Sequence, residues 1–137
     1  MDEKIESRID SIDEWINLLS KIQKSKEKTD LVKEAKENLI RKTVEAVIDI
    51  ASRLIALEGL ERPDAYSKYF KVLEKNEIIQ EDLAESLAEM AQFRNMITHQ
   101  YHKIDHEQLD MIIEEDIEDI RRFISMVIEY GEKNLLN

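Results

Sequence analysis

LDMIIEEDIEDIRRFISMVI, residues 109–128, decides the fold class. Its apolar residues Leu109, Ile112, Ile113, Ile117, Ile120, Phe123, Ile124, Val127 and Ile128 recur every three or four positions, the period of one helix face. Just upstream, Asp105 followed three residues later by Gln108 reads as a capping box, so a long helix starts there. At the other end of the chain Ile5, Ile9, Ile12, Ile16, Leu19 and Ile22 make the same pattern and predict a helix from about Asp2 to Lys24. Thr29 or Asp30 can cap the next one, which carries Leu31, Ala35, Leu39, Val44, Val47, Ala51, Leu54 and Ile55 and stops near Gly59. Between Asn38 and Leu57 its apolar residues lie on more than one face, which places it centrally in a bundle or between two protomers. A single Pro-bearing loop, Glu61-Arg62-Pro63-Asp64, leads into a short aromatic helix with Tyr66, Tyr69, Phe70 and Leu73. Leu83, Leu87, Met90 and Ala91 open a fourth long helix running toward Thr98. The expectation is an all-α bundle of four long helices plus one short helix, with residues 1–137 forming one domain.

Composition agrees. Two Gly and one Pro in 137 residues are too few for the turns of a sandwich or barrel. The absence of Cys excludes disulfide frameworks, thiolate zinc sites and thiol nucleophiles. A net charge of −11 opposes generic binding to nucleic acid or an anionic membrane. No apolar run reaches the ~18 residues of a membrane span, and MDEKIESRID is charged throughout, so the expectations are a cytoplasmic protein and no membrane partner. Charge is nonetheless uneven. Residues 20–42 carry 8 Lys/Arg against 4 Asp/Glu, whereas residues 105–120 carry 8 Asp/Glu and no Lys/Arg. These are two solvated helix faces, or else a basic track for an RNA backbone and an acidic dock for a basic partner.

Functional groups crowd the end of the fourth helix: Phe93-Arg94-Asn95-Met96-Ile97-Thr98-His99-Gln100-Tyr101-His102. Arginine offers a fork of donors suited to phosphate oxygens, and histidine gives or takes a proton near neutral pH. The pair is sufficient in kind to cleave RNA without a metal, or else it is a helix-terminal Arg and His satisfied by carboxylates and carbonyls. On a regular helix Arg94 and His99 stand about 140° apart around the axis. Either the helix bends or ends near Thr98, or each group meets partners from another helix or subunit. Glu45 and Asp49, four apart on the second helix, can orient Arg94 or His99, or can pair with Lys42 or Arg53. His99, His102 and His106 have a spacing found in metal sites, but it fixes no tetrahedral geometry, and no metal site is expected. Trp15, Tyr66, Tyr69 and Phe70 read as core or interface rather than as base-stacking platforms.

Arg94 to Tyr101 resembles the R-x4-H-x-Y motif of HEPN-domain proteins, closest to the HepT-like ribonuclease toxins of prokaryotic toxin–antitoxin pairs. Arg41 to Ala51 is similar to that branch's second-helix block, and Ala65-Tyr66 with Phe70, Val72 and Leu73 to its short middle helix. The likeness extends roughly from Ile5 to Ile128, and its specific block runs from Met90 to Asp105. The resemblance implies a HEPN bundle acting as a homodimer, with two motifs facing one cleft. It implies metal-independent endoribonucleolytic cleavage of RNA, with tRNA a candidate target and no cofactor. Arg94 and His99 inherit catalytic roles, Asn95 matches the polar residue after the arginine, and Tyr101 matches the tyrosine silenced with AMP by an MntA-type nucleotidyltransferase antitoxin. The competing expectation is a non-catalytic helical module that binds that nucleotidyltransferase. The apolar excess on the second and last helices is a separate reason to expect a symmetric homodimer.

Overall fold

A computed structural model describes residues 1–100 and 104–135, without the side chains of residues 95–100 and 135. The chain folds into helices α1 (Glu3–Ser25), α2 (Asp30–Leu57), α3 (Tyr69–Lys75), α4 (Glu81–Gln100) and α5 (His106–Leu135), with a 3-10 turn at Tyr66–Lys68 before α3. No strand occurs among the described residues. The architecture is the expected one of four long helices and one short.

The ends of the helices follow from local chemistry. Asp2 caps α1, its side chain accepting from the amides of Lys4 and Ile5. Thr29 caps α2 through the amide of Val32. Asp105 accepts from the Gln108 amide at 2.8 Å, and Gln108 reaches back to the Asp105 amide at 3.4 Å, so the capping box starts α5. At the C-terminus of α2, Gly59 takes a left-handed φ of 63°, with Leu60 donating to Ile55 and Gly59 to Ala56. That pair of bonds satisfies carbonyls the helix would otherwise leave open. Glu77 ends α3 the same way at φ 60°, with Ile78 donating to Leu73 and Glu77 to Glu74.

α2 is the centre of the bundle and packs on α1, α3, α4 and α5. Its apolar faces are thereby consumed inside one chain: Ile40, Val44, Val47, Ile48, Ile50, Ala51, Leu54 and Ile55 are all buried. Of the two placements the sequence left open for α2, the structure shows the central one. Its multi-faced pattern is that of a central helix, and Leu31 and Leu57, near its two ends, stay exposed. Tyr69 and Phe70 are buried in the core, Phe70 meeting Phe123 of α5 edge to face at 6.0 Å.

The two charge tracts meet each other. Lys28 and Lys36 both reach the Asp110 carboxylate, Lys36 at 2.7 Å, and Gln23 donates to the Asp110 carbonyl at 3.3 Å. Lys36 is buried, so this is an internal clasp that ties the end of α1, the α1–α2 turn and the first turns of α2 to the start of α5. Burial alone would raise the Asp110 pKa, but bonds from Lys28 and Lys36 outweigh it and hold the carboxyl below its ordinary value. Among the described residues, no helix is long and apolar enough to cross a membrane.

Candidate functional site

α4 runs through Thr98 to Gln100, so neither a break nor an end interrupts the helix between Arg94 and His99. The buried residues Leu83, Leu87, Met90 and Ala91 seat α4 against its neighbours and carry Arg94 to the side of α2. There the Arg94 guanidinium lies 3.6 Å from the Glu45 carboxylate. Arg41, one turn earlier on α2, approaches the same Glu45 oxygen at 3.4 Å and donates to Asn38 at 2.6 Å. Two guanidiniums, those of Arg41 and Arg94, thus share the Glu45 carboxylate, in a chain whose net charge is −11.

The site also has aromatic neighbours. The Arg94 guanidinium lies over the Tyr66 ring, 5.5 Å from its centroid. Tyr66 meets Tyr69 edge to face at 5.6 Å, and Arg62 lies over Tyr69 at 5.9 Å. Tyr69 is buried, whereas Tyr66 is 53% exposed. A fixed guanidinium, a shared carboxylate and an open aromatic ring therefore converge between α2, α4 and the 3-10 turn. Cation and ring attract each other through the ring quadrupole, and the carboxylate limits how far the arginine can swing.

Of the two carboxylates singled out in the sequence, the structure brings only Glu45 to Arg94. Asp49 faces α1 and pairs with Arg8 at 3.3 Å, both half exposed. Neither takes the alternative partners: Lys42 lies over Trp15, and Arg53 bonds Asp2 at 2.9 Å. Asn95 and His99 stand on α4, but their side chains, and Tyr101 and His102 entirely, lie outside the described residues. Tyr66 and Arg41 were not expected at the site. The Arg41–Glu45 spacing of four on one helix was a readable signal; the exposure of Tyr66 depends on the 3-10 turn.

The HepT-like ribonuclease family model matches residues 5–127. This chain belongs to the HepT-like family. HepT-like relatives include an mRNA nuclease HepT from Shewanella oneidensis, 26% identical over 88 residues that cover 64% of this chain and 66% of that protein. An Archaeoglobus fulgidus protein described as a putative RNase is 32% identical over 91 residues, covering 66% and 68%. Each alignment thus spans about two thirds of the relative's own length. Among solved structures, the tri-AMPylated Shewanella oneidensis HEPN toxin in complex with MNT antitoxin superposes with a TM-score of 0.84 at 22% identity, covering 94% of this chain and 99% of that one. YutE of Bacillus subtilis, described as a cytosolic protein of unknown function, gives 0.82 at 18% identity, covering 96% and 91%. At these identities the superpositions establish a shared HEPN fold.

Proposed function

We propose that this HepT-like chain is the toxin subunit of a toxin–antitoxin pair and cleaves RNA without a metal. The observation that carries the reading is Arg94, the first residue of its R-x4-H-x-Y motif, 3.6 Å from the Glu45 carboxylate and lying over the Tyr66 ring. In the reaction, His99 takes the proton from a ribose 2′-hydroxyl. The 2′-oxygen attacks the adjacent phosphorus, and the bond to the 5′-oxygen breaks. A histidinium returns a proton to that leaving oxygen, and the 3′ end is left as a 2′,3′-cyclic phosphate. Arg94 stabilises the charge that grows on the non-bridging oxygens, with Asn95 as a further polar contact. Because α4 continues through both positions, Arg94 and His99 are about 140° apart on one helix, which favours a site completed by a second copy of the chain. The exposed Met111 and Ile128 of α5 are further apolar surface that such a copy could cover.

Regulation follows the relative crystallised as an AMPylated toxin with its MNT antitoxin. Here the acceptor is Tyr101, and the modifying partner is an MntA-type nucleotidyltransferase. A nucleotide linked there brings bulk and negative charge next to the place where RNA phosphate must sit.

Purified protein incubated with total RNA in EDTA is expected to generate cyclic-phosphate ends, and His99→Ala to lose them. Activity that disappears in EDTA and returns with zinc or magnesium overturns the metal-free mechanism. RNA left intact by the wild type, together with tight capture of the nucleotidyltransferase, returns the chain to the binding-module reading. With ATP and the partner enzyme, AMP is expected on the peptide containing Tyr101 and absent from Tyr101→Phe. Equal labelling of that variant refutes the modification site.

A further inference from the structure

Tyr66 is a large aromatic that the fold leaves 53% exposed, although Tyr69 and Phe70 beside it are only 5% and 1% exposed. The ring is nevertheless held in place. The buried Tyr69 meets it edge to face at 5.6 Å, and the backbone beneath is fixed by the 3-10 turn, where Lys68 donates to Ala65 at 3.1 Å. The guanidinium of Arg94 lies over it at 5.5 Å, and that guanidinium is 3.6 Å from the Glu45 carboxylate. An exposed ring held beside a guanidinium matches one kind of ligand closely: a planar base attached to a phosphate. Single-stranded RNA offers unstacked bases that pack on tyrosine rings and arginine planes, while its phosphates take the guanidinium donors.

We propose that Tyr66 and Arg94 together form a nucleobase seat, in which a base next to the scissile phosphate stacks on the Tyr66 ring while Arg94 engages the phosphate. This deepens the ribonuclease reading and rests on it. Since any base has a π-face, the seat holds and orients the strand and leaves base identity to other contacts. Tyr66 is thus a binding and positioning residue, and its hydroxyl is dispensable.

The experiment uses the full chain. A single-stranded oligoribonucleotide carrying 2-aminopurine is titrated into the His99→Ala protein, so that binding is read without cleavage. Stacking on Tyr66 is expected to quench the fluorescence. Tyr66→Phe should keep both quenching and affinity. Tyr66→Leu should lose the quenching and weaken binding roughly tenfold, within the range that removing one stacked aromatic produces. With His99 intact, Tyr66→Leu should raise KM more than it lowers kcat. Wild-type affinity and quenching in Tyr66→Leu would overturn the seat, even if cleavage stands. Quenching that depends on Tyr66 in a protein that never cleaves RNA would uphold the seat and overturn the nuclease reading. Should Tyr66→Leu instead turn a dimer into a monomer in light scattering with thermal unfolding unchanged, the ring is a subunit contact and the seat is refuted.

Discussion

Replacing Asp116 by asparagine should change the way stability depends on pH. Asp116 lies on the inner face of α5, between the buried Ile113 and Ile120, and is only 9% exposed. Its Oδ2 has no hydrogen-bond partner among the described residues. Burial first, and then repulsion from Asp119 and Glu115, push its pKa up from 3.8 to about 7. The folded state therefore holds this proton more tightly than the unfolded chain. Below about pH 4 both states are protonated and the group makes no difference. Between about pH 4 and 7 the folded state binds more protons, so stability falls as pH rises; above 7 the full penalty applies. At ~1.4 kcal/mol per pH unit the penalty approaches about 4 kcal/mol. The asparagine side chain keeps the shape and cannot ionise, though burying its amide costs roughly 1–3 kcal/mol. Relative to the wild type, Asp116→Asn should be equal or less stable at pH 4.5 and about 1–3 kcal/mol more stable at pH 8. Urea unfolding of both proteins at half-unit steps from pH 4.5 to 8 measures the difference. Parallel curves across that range would refute the reasoning.

Asp110→Ala removes the partner of the buried Lys36 and strands its ammonium, which should cost about 3 kcal/mol in chemical denaturation; a loss under about 1 kcal/mol would show that the clasp is not structural. Glu77→Gly relieves a left-handed residue at the end of α3 and should raise stability by about 0.5 kcal/mol, read from the unfolding midpoint at constant m-value. Glu45→Gln loosens Arg94 and also removes a charge that repels phosphate. RNA affinity should hold or improve while kcat falls roughly tenfold, and equal loss of both would contradict a positioning role.

Much of the molecule can be read along the chain because its signals are local. Thr29, Gly59 and the Asp105–Gln108 box each act within a few residues of themselves, and the apolar spacing of three and four sets the faces of α1 and α5. Asp116 was local too, since it follows Ile113 by three and precedes Ile120 by four, which puts a carboxylate on the buried stripe. The pairings that cross the fold were not legible. Glu45 and Asp49 are only one turn apart, and the helix facing each of them decides that one meets Arg94 and the other Arg8. Lys36 looked like part of a solvated basic face because its carboxylate lies 74 residues away. Tyr66 read as core or interface along with Tyr69 and Phe70, and only the 3-10 turn decides that it faces outward beside Arg94.

The two guanidiniums gathered at Glu45 also bear on how a polyanion would approach. At ~0.01 M salt the Debye length is ~30 Å, and an approaching strand feels most of the chain's −11 and is held off. At ~0.15 M it is ~8 Å, and the strand feels chiefly what lies beside it, including the Arg41–Glu45–Arg94 cluster. Added salt thus screens the distant repulsion more than the contact at the guanidinium. Association with RNA should speed up over the first increments of salt, the opposite of the trend for a basic RNA-binding protein.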